Sequence, residues 1–242
     1  MSDVTLNGQP VLRGDLKLPF SGAWTAELEL DADARPTGAA SLSLMGRTFS
    51  GTVVADPADS DLALSGDAGG FYRCRIVGGA GGLGKPLEPQ EWSQGAVVQQ
   101  ALAAILSAGG ETQAADIDPA LLARVLPQWS YTQGTVGDAL SALCAYLGVV
   151  WRIRRDGLVW MGNPSPQPTP APDYVATELD PEAGQATWDL NEATVEPDQV
   201  IDGLTLRQVA YRFDAGSLRA LVTFAPGPVN ALFSLFALWL RR

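Results

Sequence analysis

The stretch Arg73-Cys-Arg-Ile-Val-Gly-Gly-Ala-Gly-Gly-Leu-Gly-Lys85 decides the fold, because it supports two incompatible readings. As chemistry, the glycines before Lys85 have the spacing of a phosphate-binding loop that follows a strand over 71–77. Such a loop needs Ser or Thr after the lysine to place a hydroxyl on Mg²⁺. It then needs a helix whose N-terminus faces the phosphates. Here Pro86 follows Lys85, Pro89 comes three residues later, and no apolar helical period starts before about Gln94. Neither a nucleotide nor any other cofactor is expected. The structural reading has a strand leaving a sheet through glycines that tolerate positive φ and close backbone approach. It assigns Gly78, Gly79, Gly81, Gly82 and Gly84 to backbone geometry.

Outward from that loop, residues 1–85 read as a first β-barrel or sandwich. Asn7-Gly8 sits between Val4-Thr-Leu6 and Val11-Leu12, a hairpin turn signal. Trp24, Ala26, Leu28 and Leu30 alternate with Thr25, Glu27, Glu29 and Asp31, giving one apolar and one polar face. Met45-Gly-Arg47 turns a strand over 41–45 into another over 48–54.

Residues 86–162 change period and predict an α/β segment of three helices and a hairpin. Val97, Val98, Ala101, Leu102, Ile105 and Leu106 recur at helical spacing, and Gly109-Gly110 ends that helix. Asp118-Pro119 supplies an N-cap and a first-turn proline for a short second helix. Thr135 and Asp138 form a capping box ahead of the stripe Val136, Ala139, Leu140, Leu143 and Leu147, and Gly148 ends the third helix. Asp156-Gly157 then marks the turn of a hairpin.

Residues 163–173 place proline at every second position, which predicts an extended, stiff linker. Residues 174–225 read as a second, small β domain closed by a hairpin around Asp214-Ala-Gly216. No Lys or Arg occurs between Asp156 and Leu206, whereas nine acids lie from Asp173 to Asp202. Residues 226–242 open with Pro226-Gly-Pro228, run apolar on every side from Val229 to Leu240, and end on Arg241-Arg242. That run of about a dozen residues falls short of the roughly twenty a membrane span needs. Leu232, Phe233, Phe236, Trp239 and Leu240 are therefore expected to meet a protein partner, with membrane contact the lesser alternative.

The 242-residue chain carries a net charge of −11, which argues against wrapping nucleic acid. It has no histidine, so the commonest general base and metal ligand are missing, and no metal site is expected. Its two cysteines, Cys74 and Cys144, sit in apolar surroundings and read as buried thiols. Met1-Ser-Asp-Val lacks the layout of a signal peptide. Glu178, Asp180 and Glu182 alternate on one strand face, the pattern of a solvated edge. No catalytic residue emerges, and the chain is expected not to be an enzyme.

Four segments, in order, carry a family resemblance. They are Phe20-Ser-Gly-Ala-Trp24, the run from Arg73 to Leu83, Pro127-Gln-Trp-Ser-Tyr131 with Gly134-Thr-Val-Gly-Asp-Ala-Leu-Ser-Ala-Leu143, and Leu147-Gly-Val-Val-Trp-Arg-Ile-Arg-Arg-Asp-Gly-Leu-Val-Trp-Met-Gly162. Together they resemble the baseplate hub proteins of Mu-like and related tailed bacteriophages, over roughly residues 1–225. The resemblance implies an α+β protein with two small tail-tube-like β-barrel domains and an intervening helix-rich α/β segment ending in a β-hairpin. It implies a homotrimeric ring that joins the tail tube, or a distal tail protein, to a central spike or tip protein. A tape measure protein and passing DNA are further expected partners. The implied location is the tail tip or baseplate of the virion, after assembly in the bacterial cytoplasm. The rival reading is a tail-associated cell-wall hydrolase using acidic residues such as Glu178, Asp180 and Glu182.

Overall fold

Six strands at the start of the chain close into a barrel. They are β1 (Val4–Leu6), β2 (Gln9–Leu18), β3 (Thr25–Ala32), β4 (Gly38–Leu44), β5 (Arg47–Val54) and β6 (Gly70–Gly78). Their hydrogen-bonded order is β1-β4-β5-β6-β3-β2, and β1 pairs again with β2, so the ring is complete. Two two-residue turns set the registers. Asn7 and Gly8 have φ of 51° and 83°, and Met45 and Gly46 have 50° and 74°. These left-handed pairs match the twist of the flanking strands. Along β3, Ala26, Leu28, Leu30 and Ala32 are buried, while Glu27 and Asp31 face solvent. This computed structural model describes residues 4–32, 35–54, 70–93, 95–180, 182–190, 194–214 and 217–225.

Trp24 fills the barrel, 2% exposed, edge-on to Phe49 with ring centroids 5.7 Å apart. Two glycines make room for its ring. A Cβ on Gly51 would lie 2.8 Å from the Trp24 Cη2, and one on Gly78 would lie 2.5 Å from its Nε1. Gly51→Ala is therefore expected to destabilise the fold by about 1–3 kcal/mol through overpacking. Urea unfolding checks this, and an unchanged midpoint would contradict it.

The next segment packs two long helices against short strands. β7 (Gln90–Ser93) pairs with β8 (Gln128–Tyr131), placing Trp92 opposite Trp129. Between them lie α1 (Val98–Gly109) and α2 (Pro119–Leu122), and after them α3 (Val136–Leu147), β9 (Val150–Ile153) and β10 (Val159–Gly162). Val98, Ala101, Leu102, Ile105 and Leu106 of α1 are buried, as are Val136, Ala139, Leu140, Leu143 and Leu147 of α3. The Thr135 hydroxyl accepts from the Asp138 N–H, and Asp138 Oδ2 accepts from the Thr135 N–H at 3.0 Å. These bonds hold the Asp138 carboxyl below its ordinary pKa. Gly110 and Gly148, with φ of 76° and 72°, end α1 and α3. Burial pushes the Cys144 thiol up to about 12, so it is a packing group with little thiolate character.

The proline-rich segment is more than a spacer. Gln167 and Thr169 donate to Asp198 O and Val200 O, both at 3.0 Å. β11 (Gln167–Pro168) thereby pairs in parallel with β14 (Gln199–Ile201). Alternation leaves N–H groups on one side of the strand and proline nitrogens on the other.

β12 (Tyr174–Asp180), β13 (Gln185–Leu190), β15 (Leu204–Asp214) and β16 (Ser217–Phe224) complete the strands among the described residues. Their order is β15-β16-β13-β12, with β14 on the N-terminal part of β15. Trp188, Tyr211 and Phe213 form their buried centre, and Tyr174 stacks on Trp188 at 4.5 Å. Val209 to Phe213 of β15 pair with Gly14 to Leu18 of β2. The second β region thus continues the sheet of the barrel, giving one twelve-stranded sheet. Among the described residues these later strands stay open, because β12 pairs only with β13. The architecture is mostly β, a six-stranded barrel with an extended sheet and few helices.

Candidate assembly surface

The glycine loop after β6 is an anion receptor whose anion is part of the chain. Gly79 and Gly81 have φ of 81° and 79°. Between and after them, the N–H groups of Ala80 and Gly82 donate to the two carboxylate oxygens of Glu111, each at 2.8 Å. Glu111 directly follows the end of α1 and is 7% exposed. The donors that a phosphate loop turns toward phosphate are turned here toward an internal carboxylate. Lys85 donates to Gly109 O at 3.1 Å, and Pro86 bridges to Thr135 instead of opening a helix. A Cβ on Gly82 would fall 1.7 Å from Gly109 O, and one on Gly79 would fall 2.4 Å from Glu111 Oε2. Gly78 lies against Trp24, as described above. Gly84 has neither positive φ nor any neighbour within 4 Å of an added Cβ. Four of the five singled-out glycines therefore meet a geometric demand, and Gly84 does not.

A cleft of about 600 Å³ opens between the barrel and the β9–β10 hairpin. Leu18, Pro19, Trp24 and Phe49 line it, together with Arg152, Arg154, Arg155, Asp156 and Glu196. Its guanidinium groups are already engaged. Glu196 bridges Arg47 and Arg155, the latter at 3.0 Å, and Arg152 pairs with Asp198 while lying 5.0 Å over the Trp160 ring. Arg154 reaches Asp116 and Asp156 at 2.7 and 2.6 Å. This network fastens the barrel, the hairpin and the second β region to one another. It presents no open cation for a ligand.

Glu178, Asp180 and Glu182 are exposed and lie at the outer margin of the sheet, away from the cleft. Glu178 accepts from the Thr187 hydroxyl at 3.2 Å, and Asp180 accepts from the Ala183 N–H at 2.9 Å. Among the described residues no group of three or more His, Cys, Asp or Glu is placed to hold a metal. No helix there is long and apolar enough to cross a membrane. Leu232, Phe233, Phe236, Trp239 and Leu240 lie outside the described residues.

A continuous outward sheet face runs across β6-β3-β2-β15-β16-β13-β12. One cross-strand row reads Arg75, Glu27, Asp15, Arg212, Arg219, Asp189 and Val175. A neighbouring row reads Lys17, Ala210, Leu221, Thr187 and Glu178. Ion pairs tie the strands along this face. Arg13–Glu29 is 2.7 Å, Arg212–Asp15 is 3.1 Å and Arg219–Asp189 is 3.1 Å. Each basic member is more than half exposed, so each pair stabilises the fold by about 1 kcal/mol at most. Their larger consequence is that charges of both signs are interspersed over a wide surface. Leu221 and Val175, 43% and 41% exposed, are single apolar side chains near the β12 end, separated by β13. Glu27, Glu29 and Asp31 revealed one strand of this face in the sequence. The pairing of β2 with β15, which joins the two halves, carried no sequence signal.

The fold has close neighbours among solved structures. The 43 kDa tail protein of prophage MuSo2 from Shewanella oneidensis matches with a TM-score of 0.64 at 11% identity, over 93% of this chain and 97% of that one. A tail protein from Neisseria meningitidis MC58 matches with a TM-score of 0.65 at 11% identity, over 92% and 96% of the two chains. A component of the E. coli type VI secretion system, described as structurally similar to the T4 bacteriophage tail proteins gp27 and gp5, gives 0.67 at 12% identity over 92% and 77%. At these identities the likeness is one of fold. Neither a family model nor a curated protein sequence matches the chain.

Proposed function

We propose that this chain is a structural hub of a phage tail tip or baseplate, assembling as a homotrimeric ring between the tail tube and a central spike or distal tip. The observation that carries the reading is the single sheet face spanning the barrel and the second β region, in a fold shared with phage tail proteins. Two β regions per chain, a closed barrel and an extension of its sheet, give six β units in a trimer, the number with which a three-fold spike would meet a six-fold tube within closed symmetry. In this reading the mixed-charge face lines the channel. A wall of free Lys and Arg would hold phosphates and stall DNA. Here Arg13, Arg212 and Arg219 each have a carboxylate partner. The hydrolase reading gains no support from Glu178, Asp180 and Glu182, which lie outside the cleft between the barrel and the β9–β10 hairpin.

Native mass spectrometry of the protein produced with its neighbouring tail proteins tests the ring. Three copies per complex are expected, and a monomer throughout would overturn the reading. Residues 229–242 are proposed to attach a tip or tape protein, or the same segment of sister subunits. Burying even three of the large side chains would contribute several kcal/mol per copy, at roughly 1.5–3 each. Deleting 229–242 is expected to leave the β structure folded by circular dichroism and to abolish capture of the partner. Complete, infectious particles built from the truncated protein would contradict that role.

A further inference from the structure

The second β region ends in two unlike edges. An unpaired strand edge is a template for another strand. On β11, Gln167 and Thr169 turn their N–H groups to β14, and the outer nitrogen between them belongs to Pro168 and cannot donate. β12 carries no such block. It pairs only with β13 among the described residues, so along 175–180 its other side meets no strand.

The two faces of β12 specify what an added strand would carry. A register shift between Ala176 and Glu178 puts Val175, Glu178 and Asp180 on the outward face. From Tyr174 to Leu190 the chain has four acids and no Lys or Arg. Of those acids only Asp189 has an ion-pair partner among the described residues. On the inward face, Ala176 and Leu179 pack against the core yet stay half-buried at this open margin. A strand laid along the edge would cover them with its own inward side chains. Its outward side chains would stand beside Glu178 and Asp180, where a cation is favourable and a carboxylate is not. A second copy of β12 would bring only more carboxylates to that row.

We infer that the β12 edge is the docking site for an extended, basic segment of a partner protein. Its Lys or Arg side chains stand outward beside Glu178 and Asp180, and its apolar ones lie inward over Ala176 and Leu179. Main-chain hydrogen bonds supply the affinity of such strand addition, and the alternating side chains supply its specificity. This docking does not require the ring, and the partner is a different polypeptide.

The probe is a labelled nine-residue peptide alternating Arg with Val, followed by fluorescence anisotropy with the full-length protein. Two companion peptides separate the contributions. One replaces each Arg by Glu, and the other is N-methylated at alternate residues, which keeps the charge and removes the ladder donors. The Arg peptide is expected to bind, and both companions to bind at least about fivefold more weakly. Glu178→Gln with Asp180→Asn is expected to weaken binding by about fivefold. Glu88→Gln with Glu91→Gln removes the same charge from two other exposed positions and is expected to leave binding unchanged. Circular dichroism checks each fold. Equal losses in the two double variants, or undiminished binding of the N-methylated peptide, would show general attraction to an acidic protein and overturn the edge. No binding at all overturns it too. Binding seen only after 226–242 are deleted, or only at dilutions where copies separate, would make the chain's own end or a sister copy the occupant, against the proposal.

Discussion

Glu111→Ala is expected to destabilise the protein by about 2–5 kcal/mol, a large share of the roughly 5–15 kcal/mol a domain has. The substitution leaves two N–H groups, now both satisfied at 2.8 Å, without their acceptor, the buried one of Gly82 and the partly buried one of Ala80. Each unpaired buried donor costs about 1–3 kcal/mol. It also cuts the link between the barrel's β6 and the end of α1. Glu111→Gln keeps one amide oxygen as acceptor and is expected to cost about half as much. Urea unfolding of both variants measures this. A loss below about 0.5 kcal/mol for the alanine variant would show that the loop does not depend on the carboxylate.

Gly82→Ala is expected to cost about 3 kcal/mol or more by a different route. Its added Cβ would fall 1.7 Å from the Gly109 carbonyl oxygen, and both atoms belong to backbone that cannot rotate away. Loop and helix end must separate, and the Glu111 bonds go with them. Gly84→Ala, where nothing lies within 4 Å, is the internal control and is expected to stay within about 0.5 kcal/mol. Equal effects at the two positions would contradict a geometric role for the loop. Lys85→Ala removes one bond to Gly109 O and is expected to leave assembly intact.

Local chemistry made much of this fold legible. Asn7-Gly8, Met45-Gly46 and Asp156-Gly157 announce their hairpins because left-handed backbone admits few residues, and the Thr135–Asp138 box with Gly148 bounds α3 from both ends. What stayed hidden depends on distant partners. β7 and β8 are four residues each, and α1 and α2 lie between them, so only tertiary packing brings Trp92 to Trp129. A lone acid after Gly109-Gly110 reads as a solvated end. Its function as the anion of the glycine loop exists only once α1 docks on the barrel. The alternating prolines were legible as an extended chain, but the strand they form depends on the carbonyls of Asp198 and Val200. The joining of two β regions into one sheet is likewise a matter of edges, and an edge has no residue signature of its own.

The central claim is that three copies arrange the long sheet face around a channel. A low-resolution electron microscopy reconstruction of the assembled tail tip tests it most directly. The predicted result is a three-fold ring at the end of the tube, with the face carrying Arg13, Asp15, Glu29 and Asp189 turned inward. A different copy number, or that face turned outward to solvent, would contradict the claim.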